Sequence, residues 1–155
     1  MTMSNHDLQH LRKAIRLADQ ARSNGNAPFG AVLVDADGEI LLEAENTRVT
    51  DEDCTAHAET NLVREASRKY SRSRLLGCTL YASAEPCAMC AGAIYWSGIG
   101  RVVFALGSRR LYEHRAPDAD RLDIPCREVL SRGQRPNDVV GPPPELEEEA
   151  LRVFS

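Results

Sequence analysis

The sequence predicts an α/β fold in which one sheet is covered by helices on both faces. Three observations lead to this prediction. Patterns typical of helices and strands alternate along the chain, no repeat or long linker interrupts them, and 155 residues suit one domain. We therefore expect a single domain over residues 1–155.

The first half of the chain contains two helical patterns around a hairpin. Apolar residues three and four apart predict the first helix, which Ser4 can cap. Asp37-Gly38 is a hairpin-turn signal between two strand-like runs. The second helix follows from the spacing of Ala58, Leu62 and Ala66. The predicted elements are a helix over residues 4–23, strands over 31–34 and 40–45, and a helix over 56–70.

The second half begins with two short apolar runs, residues 78–83 and 101–106, which predict strands. The helix between them is predicted to start with Pro86 in its first turn and to end before Gly98. After residue 107 the pattern weakens. Only a short helix over 123–130 and an acidic last helix over 145–154 are predicted there.

Composition and charge exclude some classes of function. The net charge of −4 disfavours a generic nucleic-acid binder, which would usually be basic. No apolar run reaches the roughly 18 residues that a membrane span needs, and the polar N-terminus lacks the apolar core of a signal peptide. We therefore expect a cytoplasmic protein with no membrane partner. In a reducing compartment, closely spaced cysteines more often bind metal or act in catalysis than form disulfides.

Cys87 and Cys90 raise the question of a disulfide, a metal site or plain core packing. Three residues apart at a helix start, they share a face where the helix dipole favours thiolates, which are good zinc ligands. His57, at another predicted helix start and two residues before Glu59, is the candidate third ligand. A closed structural zinc site with Cys54 or Cys126 as fourth ligand remains an alternative.

His57-Ala58-Glu59 followed by Pro86-Cys87-Ala88-Met89-Cys90 resembles the signature of the zinc-dependent nucleobase and nucleoside deaminases, the cytidine/deoxycytidylate deaminase-like family. Pro28-Phe29-Gly30, Asn46 and the strand that starts at Arg101 extend the resemblance. It implies a three-layer α/β/α sandwich with a five-stranded mixed sheet. It also implies that the protein is a homodimer.

The resemblance also implies the site. One Zn²⁺ per chain would be held by His57, Cys87 and Cys90, and Glu59 would shuttle protons for hydrolytic deamination by a zinc-bound hydroxide. Since residues two apart on a regular helix point to nearly opposite sides, His57 and Glu59 can converge only if His57 lies at the helix edge. The implied substrate contacts are Asn46, Phe29, Ala58 and His114.

The substrate is less defined than the chemistry. Gly92-Ala93-Ile94-Tyr95-Trp96 is similar to bacterial guanine deaminases, so deamination of guanine to xanthine is the first expectation. The alternatives are adenosine-to-inosine conversion in tRNA, deamination of cytosine or a nucleoside, and a non-catalytic zinc scaffold. The acidic last helix disfavours tRNA, although Arg109, Arg110 and Arg115 could hold phosphates.

Overall fold

A computed structural model describes residues 3–155; Met1 and Thr2, the first two residues of the predicted domain, lie outside the described residues. Within residues 3–155, no helix combines the length and the apolar character needed to cross a membrane. The elements are α1 (Asn5–Ser23), β1 (Gly30–Val34), β2 (Ile40–Glu45), α2 (Ala58–Lys69), α3 (Arg72–Leu76), β3 (Thr79–Ala84), α4 (Ala88–Ser97), β4 (Arg101–Leu106), α5 (Ser108–His114), α6 (Cys126–Ser131), β5 (Asp138–Val140) and α7 (Pro144–Arg152).

The strands form one mixed sheet of five, in the order β2-β1-β3-β4-β5. β1 is antiparallel to β2 and β3, whereas β3, β4 and β5 are parallel. The predicted α/β class is confirmed. The sequence patterns missed α3, α5 and β5, because elements of three to seven residues are too short to show a clear period.

Two apolar clusters, one on each face of the sheet, make the fold a three-layer sandwich. Leu33, Leu80 and Phe104 pack with residues of α2, α4 and α6. Their neighbours Val32, Tyr81 and Val103 point to the other face, where they pack with α1 and α7. This alternation follows from the two-residue period of a strand. Since β3 and β4 lie in the middle of the sheet, both are apolar on both faces.

The parallel pairing of β3 and β4 determines where a site can form. Ala84 and Leu106, the last residues of the two strands, are paired in register. The segments that follow both strands therefore leave the sheet at the same edge. In open α/β sheets, ligands bind in the crevice outside the carboxyl ends of the strands, so this edge is the place to look for a site.

A buried ion pair joins α1 to the sheet at a distance from that edge. Both carboxylate oxygens of Asp7 accept hydrogen bonds from the Arg101 guanidinium at 3.0 Å, and Oδ1 also accepts one from the Tyr81 hydroxyl at 2.6 Å. Asp7 further accepts the backbone N–H of Ser4 in the capping box of α1. Burial by itself raises the pKa of Asp7, but these hydrogen bonds outweigh it and hold the pKa well below its usual range.

We expect Asp7→Asn to lower the free energy of unfolding at pH 7 by about 3 kcal/mol, because it leaves the Arg101 charge without its buried partner. Asp138, which also contacts Arg101, keeps the loss at the low end of the range for buried pairs. Since the native-state pKa of Asp7 is depressed, its stabilising effect is complete above the unfolded pKa of about 4 and is lost as the pH falls below it.

Urea unfolding of wild type and Asp7→Asn from pH 7 down to pH 3 measures this effect. The gap between the two proteins is expected to narrow below about pH 4. Asp19→Asn, which changes an exposed carboxylate on the same helix, is the control and is expected to match wild type. A gap that stayed constant with pH would contradict a role for the Asp7 charge.

Candidate functional site

His57, Cys87 and Cys90 come together at the carboxyl edge of the sheet. His57 Nδ1 lies 3.6 Å from Cys87 Sγ and 3.4 Å from Cys90 Sγ, and the two sulfurs are 3.6 Å apart. In residues 3–155, these three side chains are the one group of three or more potential ligands found close enough to share an ion.

The three distances fit a zinc ion. Tetrahedral zinc, with typical Zn–S and Zn–N bonds, places two sulfurs about 3.8 Å apart and a nitrogen about 3.5 Å from each sulfur. The measured separations of the Cys87, Cys90 and His57 atoms agree with this geometry within about 0.2 Å. Two thiolates and one imidazole are also a donor set that zinc prefers. These three side chains would therefore hold a zinc ion as its three protein ligands.

The helix ends explain how the ligands converge. His57 is the N-cap of α2 and has extended backbone angles, φ −74° and ψ 157°. His57 therefore lies at the edge of the helix, which is the condition under which His57 and Glu59 can point to the same site. Cys87 is likewise the extended N-cap of α4, and Cys90 is the third helical residue. This corrects the sequence prediction that Pro86 and Cys87 lie in the first turn, because the helix begins one residue after Cys87.

Two helix N-termini, those of α2 and α4, point their positive dipole ends at the cluster, which favours thiolates. Hydrogen bonding with Cys90, supported by His57, lowers the pKa of the Cys87 thiol to about 4. Hydrogen bonding with Cys87 and burial raise the pKa of Cys90. Zinc binding releases any proton that the two thiols carry, because both ligands must be thiolates.

Glu59 is a buried carboxyl group beside the ligands. Its side chain is 5% exposed and lies within reach of the Cys90 thiol. Burial, followed by the negative charge of Cys87, raises the pKa of Glu59 to about 7. The charge of a zinc ion acts in the opposite direction. A carboxyl group buried beside the ligands can both accept a proton from and donate a proton to a bound substrate.

Three of the predicted substrate contacts line up next to the cluster. The Asn46 backbone N–H donates to the Phe29 carbonyl at 3.0 Å, and the next residue, Thr47, donates to the Ala56 carbonyl beside His57. Asn46 is buried, and its Oδ1 accepts the Arg48 N–H, which leaves Nδ2 as the donor end of the side chain. Ala58 is buried at the first position of α2, where a backbone N–H has no intrahelical acceptor.

The fourth predicted contact, His114, is the exposed last residue of α5, and the structure does not bring it to the ligands. Cys54 is exposed and Cys126 is buried, and neither belongs to the cluster. Among the described residues the zinc site therefore lacks the fourth protein ligand of a closed structural site. Catalytic zinc sites keep such an open position for water or substrate.

Two residues near the site were missed by the sequence analysis. Phe154 packs edge-on against Phe29, with ring centroids 5.3 Å apart. Glu85 precedes the Pro86-Cys87 dipeptide and accepts hydrogen bonds from two distant backbone N–H groups, those of Ser108 and Cys126. The only local sign of a role for Glu85 was its position as a charged residue between an apolar strand and a metal ligand. The sequence around Phe154 gave no sign that it lies near the site.

Cavity size does not identify the site. A cleft of about 530 Å³ is lined by residues of α6 and β5, including Arg127, Arg135 and Asp138. Asp138 pairs with Arg101, the first residue of β4, so this cleft lies at the opposite edge of the sheet from the zinc ligands. The chemistry of the ligand cluster, rather than the volume of a cavity, locates the functional site.

Comparison with known families gives one match over most of the chain. Residues 4–106 match the family described as the cytidine and deoxycytidylate deaminase zinc-binding region. The matched residues include all three ligands and Glu59. They end with the last residue of β4, so residues 107–155 lie outside the match.

Three similar proteins differ in the substrates that their names state. A probable cytosine deaminase of Schizosaccharomyces pombe is 42% identical over 96% of this chain and 90% of its own length. A tRNA-specific adenosine deaminase of Haemophilus influenzae is 44% identical over 68% of this chain and 66% of its own length. The X-ray structure of guanine deaminase from Bacillus subtilis has a TM-score of 0.64 and 33% identity, and the likeness covers 99% of this chain and 96% of that one.

Proposed function

The chain belongs to the cytidine and deoxycytidylate deaminase family of zinc enzymes, and from this membership we propose that it deaminates a small free nucleobase, with cytosine as the first candidate. One observation carries the choice of cytosine. The similarity to the Schizosaccharomyces pombe protein, 42% identical overall, covers 96% of this chain and so extends past β4, beyond the region that the family match covers. In sequence, the Bacillus subtilis guanine deaminase is 43% identical but over only 65% of this chain, which makes guanine the second candidate.

The charges around α5 and α7 argue against tRNA. Arg110, one of the candidate phosphate-binding residues, forms ion pairs with Glu147 and Glu148 of α7. Arg109 approaches Glu113 on its own helix. Guanidinium groups that already have acidic partners offer little attraction to a phosphate backbone, on which tRNA affinity depends. A free base needs no such surface.

In this proposal the protein's own side chains bind the base and move its protons. When bound, zinc supplies Lewis-acid activation of water. Glu59, buried beside the ligands, takes the two protons of the attacking water in turn on its carboxylate and delivers the first to a ring nitrogen and the second to the amine, which leaves as ammonia. Because the carboxyl group is buried, it is held in place and exchanges protons with the substrate rather than with bulk water.

Recognition of the base falls to groups on the other side of the pocket. The Nδ2 group of Asn46 donates to an acceptor on the base edge, and the free N–H of Ala58 donates to a second acceptor. Phe29, which Phe154 supports from the side, provides an apolar face against which a planar ring can stack. These roles suit any flat heterocycle that carries an amidine group.

Ammonia release from zinc-loaded protein tests the proposal on a panel of cytosine, guanine, cytidine, guanosine, adenosine and tRNA. We expect cytosine to have the highest kcat/KM, with guanine next. Nucleosides are expected to react more slowly, because a ribose must fit where Phe29 and Phe154 meet. A preference for guanine would replace the first candidate by the second. Turnover of tRNA alone would overturn the proposal for free bases.

A homodimer stays a prediction, and α4 offers a surface for it. Met89, Gly92, Ala93 and Trp96 follow one face of this apolar helix, and Trp96 is 74% exposed. An added Cβ at Gly92 would meet open space, so a second helix could approach closely there. The molar mass in solution measures the oligomeric state, and a monomer at micromolar concentration would contradict the prediction.

A further inference from the structure

Glu85 connects the metal-binding loop to a segment far along the chain. Its Oε1 atom accepts the backbone N–H of Ser108 at 3.0 Å, and its Oε2 atom accepts that of Cys126 at 2.8 Å. Its own backbone N–H donates to the Leu106 carbonyl at 2.7 Å. One carboxylate therefore holds both ends of the stretch between Ser108 and Cys126.

The two N–H groups are not chance partners. Ser108 is the first residue of α5 and Cys126 is the first residue of α6, and the caps Gly107 and Pro125 make no side-chain hydrogen bond. The first N–H groups of a helix lack an intrahelical acceptor and favour a negative charge. The Glu85 carboxylate thus caps two helices at once, because it accepts the first backbone N–H of both α5 and α6.

The stretch from Ser108 to Cys126, here called the bridging segment, starts where β4 ends and returns to α6 against α4, the helix that carries Cys90. Its two ends, both bonded to Glu85, therefore lie at the carboxyl edge of the sheet, close in the chain to Cys87. Between its ends, Leu122 is 52% exposed and Ile124 is 40% exposed, so two apolar side chains of the segment face solvent. Buried Leu111 and the ion pairs of Arg110 with α7 hold α5 itself, whereas most residues between α5 and Cys126 are exposed.

We propose that Glu85 is a positioning residue, which sets the distance between the bridging segment and the zinc ligands and thereby the width of the substrate pocket. This inference rests on the proposed function, because it takes the space beside the ligands to be the pocket. Glu85 itself does not touch the substrate. It acts through the two helix starts, and a base of the wrong size is excluded because the segment cannot move outward while both hydrogen bonds are intact.

Glu85→Gln is the most direct variant, because it keeps the size of the side chain but replaces one acceptor by an amide that cannot accept an N–H. Hydrogen exchange followed by mass spectrometry measures the anchors without any substrate. We expect exchange in peptides containing Ser108 or Cys126 to accelerate roughly tenfold or more, with no change in β3. Zinc content is expected to remain that of wild type. Glu85→Ala should release both ends and show a larger effect if it folds.

Steady-state kinetics of Glu85→Gln on the best substrate then distinguish a positioning role of Glu85 from a general loss of active protein. We expect KM to rise roughly tenfold and kcat to change much less, because Glu59 and the ligands stay in place. Glu128→Gln, which changes an exposed carboxylate on α6, is expected to match wild type in both measurements. Asp7→Asn, which loses a buried carboxylate at α1, should lower stability without changing KM.

Unchanged exchange at both Ser108 and Cys126 in Glu85→Gln would overturn the anchoring, and faster exchange with an unchanged KM would overturn its effect on the pocket. A wild-type protein that deaminated nothing on the panel would defeat the proposed function instead. The exchange comparison would still decide whether Glu85 holds the bridging segment, so the two failures can be told apart.

Discussion

Glu59→Gln is expected to lower kcat for deamination by about 10²–10⁴-fold while zinc stays bound. The amide has nearly the same size as the carboxyl group, but it cannot take a proton from water and deliver it to the leaving amine. Because Glu59 is not one of the three ligands, metal content should remain about one zinc per chain. Ammonia release at saturating substrate, together with elemental analysis of the same sample, measures both quantities.

Glu65→Gln is a matched control for this substitution. It removes a carboxylate from the same helix, α2, but Glu65 is exposed and pairs with Lys69 at 2.7 Å on the surface. Exposed pairs of this kind contribute little to stability, so the control should keep both activity and zinc. If Glu59→Gln retained wild-type kcat, the proton-shuttle role of Glu59 would be wrong.

Cys87→Ala and Cys90→Ala are expected to abolish zinc binding, from about one ion per chain to less than about a tenth. Removal of one thiolate leaves two protein ligands, and a site of that kind does not retain zinc against dilution or a weak chelator. Deaminase activity should fall below detection in both variants, because activation of water depends on the metal. Dialysis against a weak chelator and elemental analysis provide the measurement.

Cys78→Ala separates loss of a ligand from loss of a buried cysteine. Cys78 is buried in the same apolar cluster that contains residues of α2 and α4, but it lies outside the ligand group. Its substitution should cost some stability and leave zinc content unchanged. Circular dichroism of all three variants verifies that they are folded. Full zinc occupancy in folded Cys87→Ala would contradict the assignment of the ligands.

The candidate zinc ligands and the deaminase chemistry could be predicted from the sequence, through its resemblance to the deaminase signature. Cys87 and Cys90 lie three residues apart, and His57 and Glu59 lie two apart, so each pair is positioned by one local helix start. The alternation of helix and strand patterns likewise determined the α/β class, because the period of the apolar residues reflects which face of each element is buried. Features that depend on residues close together in the chain can be predicted from the sequence.

Contacts between residues that are distant in sequence became evident only from the fold. The contact of Phe154 with Phe29 and the ion pairs of Arg110 with α7 have no signature in local spacing. The same holds for Glu85, whose two hydrogen bonds span 23 and 41 residues. Glu85 meets Ser108 because β3 and β4 are parallel neighbours, which brings the segments after them to one edge of the sheet. Strand order follows from packing of the whole chain, and no short stretch of sequence contains it.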